Sequence, residues 1–107
     1  MDLKLKDKVV IVTGASRGIG KAIALGFAAE GAHLSICGRT PETLESATNE
    51  IKALGAEVFA KPADVSKGAD VEAFVRETLD RYGRMDVLVN NVGGSRWTPP
   101  LDISDQE

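Results

Sequence analysis

The run KVVIVTG at residues 8–14, followed at once by ASRGIGKAIALGF at residues 15–27, restricts this chain more than any other stretch. Val9, Val10, Ile11 and Val12 form an unbroken β-branched series stopped by a glycine. That is the pattern of a strand buried on both faces, which in a soluble protein means a parallel sheet covered by helices on each side. A helical pattern then begins at Gly18, with Ile19, Ile23 and Phe27 at i, i+4 and i+8 and Gly31 as the terminating residue. A buried strand that turns through glycines straight into a helix predicts the opening of a βαβ unit.

The alternation continues along the chain. AHLSICG at 32–38 reads as a second strand. RTPETLESATNEIKALG at 39–55 reads as a second helix, with Thr40 as N-cap, Pro41 in the first helical position, and Gly55 at the end. Its apolar stripe is Leu44, Ala47, Ile51 and Leu54. EVFAKPADV at 57–65 supplies a third strand that Pro62 should end, because proline lacks the ladder N–H. A third helix carries Val71, Phe74, Val75, Thr78 and Tyr82 on one side and stops at Gly83, before a fourth strand, DVLVNN, at 86–91. VGGSRWTPPLD at 92–102 reads as a loop, and Ser104 with Glu107 has the spacing of a capping box that opens another helix.

This order, βαβαβαβ, predicts an α/β, Rossmann-like, doubly wound parallel sheet with right-handed crossovers. In the strand order 3-2-1-4-5-6 the ligand crevice opens where the order reverses, at the C-terminal ends of strands 1 and 4. Only four strands are written in the sequence, so the sheet is expected to be truncated after strand 4, leaving unpaired backbone groups along that edge.

Composition bounds what such a fold can do. A chain of 107 residues suits a single domain, 1–107, that buries roughly two-thirds of its unfolded surface. Apolar residues at 43% and charged residues at 27% place it with ordinary soluble globular proteins. The net charge of −3, with Lys and Arg scattered, gives no electrostatic footprint for nucleic acid or an anionic membrane, and favours small-molecule chemistry. The N-terminal MDLKLKDK lacks the apolar core of a signal peptide, and the longest aliphatic run cannot cross a bilayer, so a cytoplasmic location is expected. The single Cys37 and single His33 cannot build a disulfide or a structural zinc site; both read as strand residues, and no metal is expected.

The chemistry is written in TGASRGIG, residues 13–20, where glycines at 14, 18 and 20 give G-x-x-x-G-x-G. One glycine allows the turn, one the close approach of a pyrophosphate and one close packing of helix on strand, all at a positive helix N-terminus. A nucleoside-triphosphate loop is excluded, since Gly20-Lys21 would need glycine at 15 and Ser or Thr at 22, and both are alanine. The turn therefore predicts a dinucleotide. At the end of the second strand an NAD site places Asp or Glu for the ribose 2′-hydroxyl, whereas an NADP site uses Arg for the 2′-phosphate. Here Gly38 stands where the acid is expected, Arg39 follows, and Arg17 lies in the turn itself. NADP(H) is expected in preference to NAD(H).

With TGASRGIG, ADV at 63–65 and NNVGG at 90–94, the chain resembles the N-terminal half of the classical short-chain dehydrogenases/reductases, especially the type that includes 3-oxoacyl-carrier-protein reductases. The three motifs stand in the family's order and cover essentially the whole chain. The resemblance implies pyrophosphate contacts from Gly14, Ser16, Arg17, Gly18, Ile19 and Gly20, an adenine contact from Asp64 with Val65, and support of sheet and cofactor ribose by Asn90, Asn91 and Gly93. Val92 replaces the family's usual alanine. The family's catalytic Ser and Tyr-x-x-x-Lys have no counterpart here: the one tyrosine, Tyr82, is followed four residues on by Asp86 and falls on an apolar stripe, where packing is its expected role. No catalytic residue is therefore named, and Ser95, Arg96 and Trp97 border the family's substrate pocket. The reading is the cofactor-binding part of an NADP(H)-dependent oxidoreductase that moves hydride between nicotinamide and a small-molecule carbonyl or secondary alcohol. Such enzymes are commonly homo-oligomeric when complete. The alternative is a non-catalytic dinucleotide-binding or interaction module.

Overall fold

The computed structural model describes residues 5–15 and 18–91. Four strands, β1 (Val9–Thr13), β2 (His33–Gly38), β3 (Val58–Pro62) and β4 (Val87–Asn90), alternate with three helices, α1 (Gly18–Ala29), α2 (Pro41–Ala53) and α3 (Gly68–Tyr82). The strands are parallel in the order β3-β2-β1-β4, the expected half of a doubly wound sheet. The register sets Thr13 beside Cys37 on one flank and beside Asn90 on the other, so the C-terminal ends of β1, β2 and β4 lie level.

Strand side chains alternate between two covered faces. Val10, Val12, Leu34, Ile36 and Val58 pack with Ala24 and Ala28 of α1 and Leu44, Ala47 and Ile51 of α2. On the opposite face Ile11 and Cys37 meet Phe74 of α3, with Phe59 and Val65 beside them. That face also buries a polar pair: Thr78 Oγ1 donates to the Phe74 carbonyl at 2.8 Å, so Ser35 is the donor in its 2.5 Å bond to Thr78. Both hydroxyls are thereby satisfied away from water. In β4, Val87 and Val89 pack on the α1–α2 side, whereas Leu88 on the α3 side is 51% exposed. Asp86 lengthens the β1–β4 ladder, donating its N–H to the Val9 carbonyl at 2.9 Å and accepting the Val9 N–H on its carboxylate at 2.8 Å. Arg84 first, and then that Val9 N–H, hold the Asp86 carboxyl below its ordinary range.

The stripe expected for α1 is turned by one position. Gly20, Ala24 and Ala28 are buried, while Ile19 is 72% exposed and Phe27 only partly covered. Small side chains let the helix axis settle close on the sheet, so size rather than hydrophobicity sets this face. Leu54 is likewise not on the α2 stripe; it is the C-cap residue and 51% exposed. Thr40 holds the expected N-cap backbone conformation ahead of Pro41, yet its hydroxyl makes no capping bond. Gly83 ends α3 as expected, in the left-handed region with φ +75 and its N–H on the Leu79 carbonyl at 2.8 Å. Among the described residues no helix is long and apolar enough to cross a membrane.

Gly26 sits in the interior of α1, exposed, with nothing among the described residues within 4 Å of where a Cβ would be. Gly26→Ala should therefore stabilise the chain by about 0.5–1 kcal/mol, by restricting the unfolded state without a clash. A calorimetric melt checks this, with a rise of a few degrees expected.

Candidate nucleotide-binding site

The C-terminal end of β1 is held from both sides. Toward β4, Thr13 Oγ1 donates to Asn90 Oδ1 at 2.9 Å and accepts the Asn91 N–H at 3.0 Å, and Asn91 Nδ2 donates to the Gly14 carbonyl at 3.2 Å. Toward β2, the Ala15 N–H donates to the Cys37 carbonyl at 3.1 Å. The Cys37 thiol is buried, which pushes its pKa up, and the Gly14 N–H offsets that only in part. A thiol raised in this way is protonated at neutral pH and serves as packing and hydrogen-bond partner, not as nucleophile.

The glycines of the turn have separable reasons. Gly14 lies in the left-handed region at φ +64, and a Cβ there would fall on the Asn91 carbonyl oxygen. A Cβ on Gly20 would fall on the Gly14 carbonyl oxygen and crowd Asn91 Nδ2. Gly18, at φ +65, opens α1, and among the described residues nothing lies within 4 Å of its missing Cβ. Its open side faces a helix start whose first turn contains no acid. The N–H groups of a helix's first turn and the positive end of its dipole favour an anion at such a start. Ile19 is exposed beside it. Ser16, Arg17 and Gly93 lie outside the described residues, as do Val92, Ser95, Arg96, Trp97, Ser104 and Glu107.

A second corner forms where β2 and β3 end. Gly38 is buried and Arg39 exposed, and the Ala63 N–H donates to the Gly38 carbonyl at 3.0 Å. Asp64 follows and is fixed by its own turn. Ser66 donates to Asp64 Oδ1 from its N–H at 3.0 Å and its hydroxyl at 2.7 Å, and the Asp64 N–H donates to Asp70 Oδ2 at 2.9 Å. These Ser66 bonds first, and then the charges of Arg39 and Lys67, hold the Asp64 carboxyl below its ordinary range. Val65 is partly buried against the cluster that contains Phe74.

Along the sheet edge the order is thus Asp64, Arg39, the Gly14–Gly20 turn, then Asn90 and Asn91. At about 4.8 Å per strand the row is roughly 14 Å wide. It sets a carboxylate, a guanidinium, the start of α1 and two side-chain amides along one edge. Thr13, Cys37, Ser66 and Asp70 were not singled out by sequence as parts of this arrangement. Only Ser66 had a local signal, the D-x-S spacing of an Asx turn.

Tyr82 is at the other end of the sheet. Its hydroxyl donates to the Leu34 carbonyl at 2.9 Å and its ring stacks on His33, centroids 5.7 Å apart. Burial raises its pKa, with Arg81 opposing. Tyr82→Phe should cost about 1 kcal/mol in a denaturant melt, the worth of one ordinary hydrogen bond, and leave dinucleotide affinity unchanged.

A family profile described as short chain dehydrogenase matches residues 8–107. The chain belongs to that family. A 1,6-dihydroxycyclohexa-2,4-diene-1-carboxylate dehydrogenase from Acinetobacter baylyi is 43% identical over 105 residues, 97% of this chain and 40% of its relative. A 3-oxoacyl-[acyl-carrier-protein] reductase from Staphylococcus epidermidis is 40% identical over 102 residues, 94% of this chain and 42% of the relative. Among solved structures, L-sorbose reductase from Gluconobacter frateurii, complexed with NADPH and L-sorbose, superposes with a TM-score of 0.85 at 36% identity, over 95% of this chain and 39% of that one. The chain therefore spans about 40% of the length of the short-chain dehydrogenases it matches. The parallel α/β architecture is the family's, and the family binds nicotinamide cofactors.

Proposed function

We propose that this chain is the cofactor-binding part of an NADP(H)-dependent short-chain oxidoreductase acting on a small-molecule carbonyl or secondary alcohol. The observation that carries the cofactor choice is the end of β2, where buried Gly38 leaves no carboxylate for a ribose 2′-hydroxyl and Arg39 stands exposed beside the turn. The NADPH complex of the sorbose reductase supports the same choice by similarity.

When bound, the nicotinamide cofactor supplies or accepts a hydride. The residues of this chain bind and orient. The first N–H groups of α1 and the open side of Gly18 take the pyrophosphate. Arg39 takes the 2′-phosphate, as a planar guanidinium suits a phosphate. Asp64, pinned by Ser66, faces the adenine end. Asn90 and Asn91, tied through Thr13 and Gly14, fix the edge of the crevice nearest the nicotinamide ribose. Ser16, Arg17, Ile19, Gly93 and Val65 complete the proposed lining. Proton transfer to a substrate is assigned to no residue of the chain.

Calorimetric titration with each cofactor tests the proposal. NADPH should bind saturably and more tightly than NADH. Equal affinity, or tighter NADH, overturns the cofactor choice, and no binding of either overturns the proposal.

A further inference from the structure

An acid at the third position of a helix ordinarily reaches back to the backbone N–H of the N-cap residue. Asp70 holds that position in α3, with Lys67 as N-cap. The Lys67 N–H is already taken by the Asp64 carbonyl at 2.9 Å, and the Asp70 carboxylate passes beyond it to accept the Asp64 N–H, also at 2.9 Å. Asp64 is thus tied to the start of α3 through both its N–H and its carbonyl. Its neighbours are fixed separately: the Ala63 N–H is on the Gly38 carbonyl at 3.0 Å, and Val65 packs against the cluster of Ile11, Cys37 and Phe74. Both Ser66 bonds fall on Asp64 Oδ1, so Oδ2 has no hydrogen-bond partner among the described residues.

We infer that Asp70 is a positioning residue for adenine recognition: by holding the Asp64 N–H, it sets the direction in which Asp64 Oδ2 is offered to the adenine amino group. The inference rests on the reading that Asp64 faces the adenine end, and deepens it. Of the two ties on the Asp64 main chain, the one to Asp70 is made by a side chain. It can therefore be removed while the sheet and the Asp64–Lys67 turn keep their own bonds. A hydrogen bond weakens steeply as its angle worsens, so a turned Asp64 loses the amino group without losing its charge.

The probes are NADPH and its hypoxanthine analogue, in which a carbonyl replaces the adenine amino group and offers a carboxylate nothing. Calorimetry on the wild-type chain should favour NADPH about tenfold or more, the worth of a hydrogen bond to a charged group. Asp70→Ala should cut that preference at least about threefold. Asp70→Asn keeps an oxygen acceptor for the Asp64 N–H and should retain most of the preference. Tyr82→Phe, which also removes one hydrogen bond but at the other end of the sheet, should leave the preference unchanged and so separates lost stability from lost aim. An unchanged preference in Asp70→Ala, including equal weakening of both ligands, overturns the inference, as does an Asp70→Asn chain that falls as far as the alanine variant. A wild-type chain that binds the two ligands equally overturns the adenine reading of Asp64 and the inference with it, and one that binds neither overturns the proposed function as well.

Discussion

Gly14→Ala should lower the melting temperature by at least about 10 °C and abolish saturable dinucleotide binding. Two costs add at this one position. An L-residue in the left-handed region costs about 1–2 kcal/mol, and the new methyl falls on the Asn91 carbonyl oxygen, which is backbone and cannot swing aside. Relief requires the end of β4 to retreat, and that breaks the bonds joining Asn91 to Thr13 and to the Gly14 carbonyl. The total is about 3 kcal/mol or more, and each 1 kcal/mol moves the midpoint by roughly 4–8 °C in a domain of this size. Gly18→Ala separates the two costs. It has nearly the same φ, +65, but open space where the methyl goes, so only the backbone term of about 1–2 kcal/mol applies to its melt. Equal losses in the two variants would contradict the close packing of the turn on β4.

Arg39→Ala should weaken NADPH binding about tenfold or more and leave NADH within about threefold. A hydrogen bond to a charged group contributes about 1.5–3 kcal/mol, and every 1.4 kcal/mol is tenfold in affinity. Arg39→Lys should recover part of the loss, because an ammonium keeps the charge but not the planar fork that meets a phosphate through two bonds. The NADPH deficit of the alanine variant should also narrow as salt is raised, since Arg39 is exposed. Equal weakening of both cofactors would remove the 2′-phosphate from Arg39 and make that residue a general support of the β2 end.

The topology could be read from sequence because its signals are local. β-branched runs such as VVIV, the proline ending β3 and the glycines at 31, 55 and 83 each mark a boundary within a few residues, and the sheet order follows from crossover rules. The rotation of α1 could not be read that way. Ile19 and Ile23 outrank alanines on any apolar scale, yet the face that reaches the sheet is the one whose side chains are small enough, Gly20, Ala24 and Ala28. The same division holds at the site. The glycines and Arg39 stand out by type and spacing, and Asp64 and the two asparagines come from the family resemblance of ADV and NNVGG. Thr13 does not, because its partners Asn90 and Asn91 are 77 and 78 residues away, and Cys37 matters only once β2 lies beside the turn. Asp70 is invisible for a further reason: it looks like an ordinary acid in the first turn of α3, and its bond to the Asp64 N–H belongs to the folded loop.

Amide chemical-shift mapping of the chain with NADPH is the most direct measurement. The dinucleotide is expected to lie along the C-terminal edge of the sheet, from Asp64 through Arg39 and the glycine turn to Asn91. Saturable shifts are expected at Gly14, Gly18, Ile19, Gly20, Arg39, Asp64 and Asn91, with Gly31 and Gly83 at the opposite end unmoved. NADH should reproduce the pattern at the turn but not at Arg39. Shifts gathered around Gly31, His33 and Gly83, with the turn silent, would contradict it.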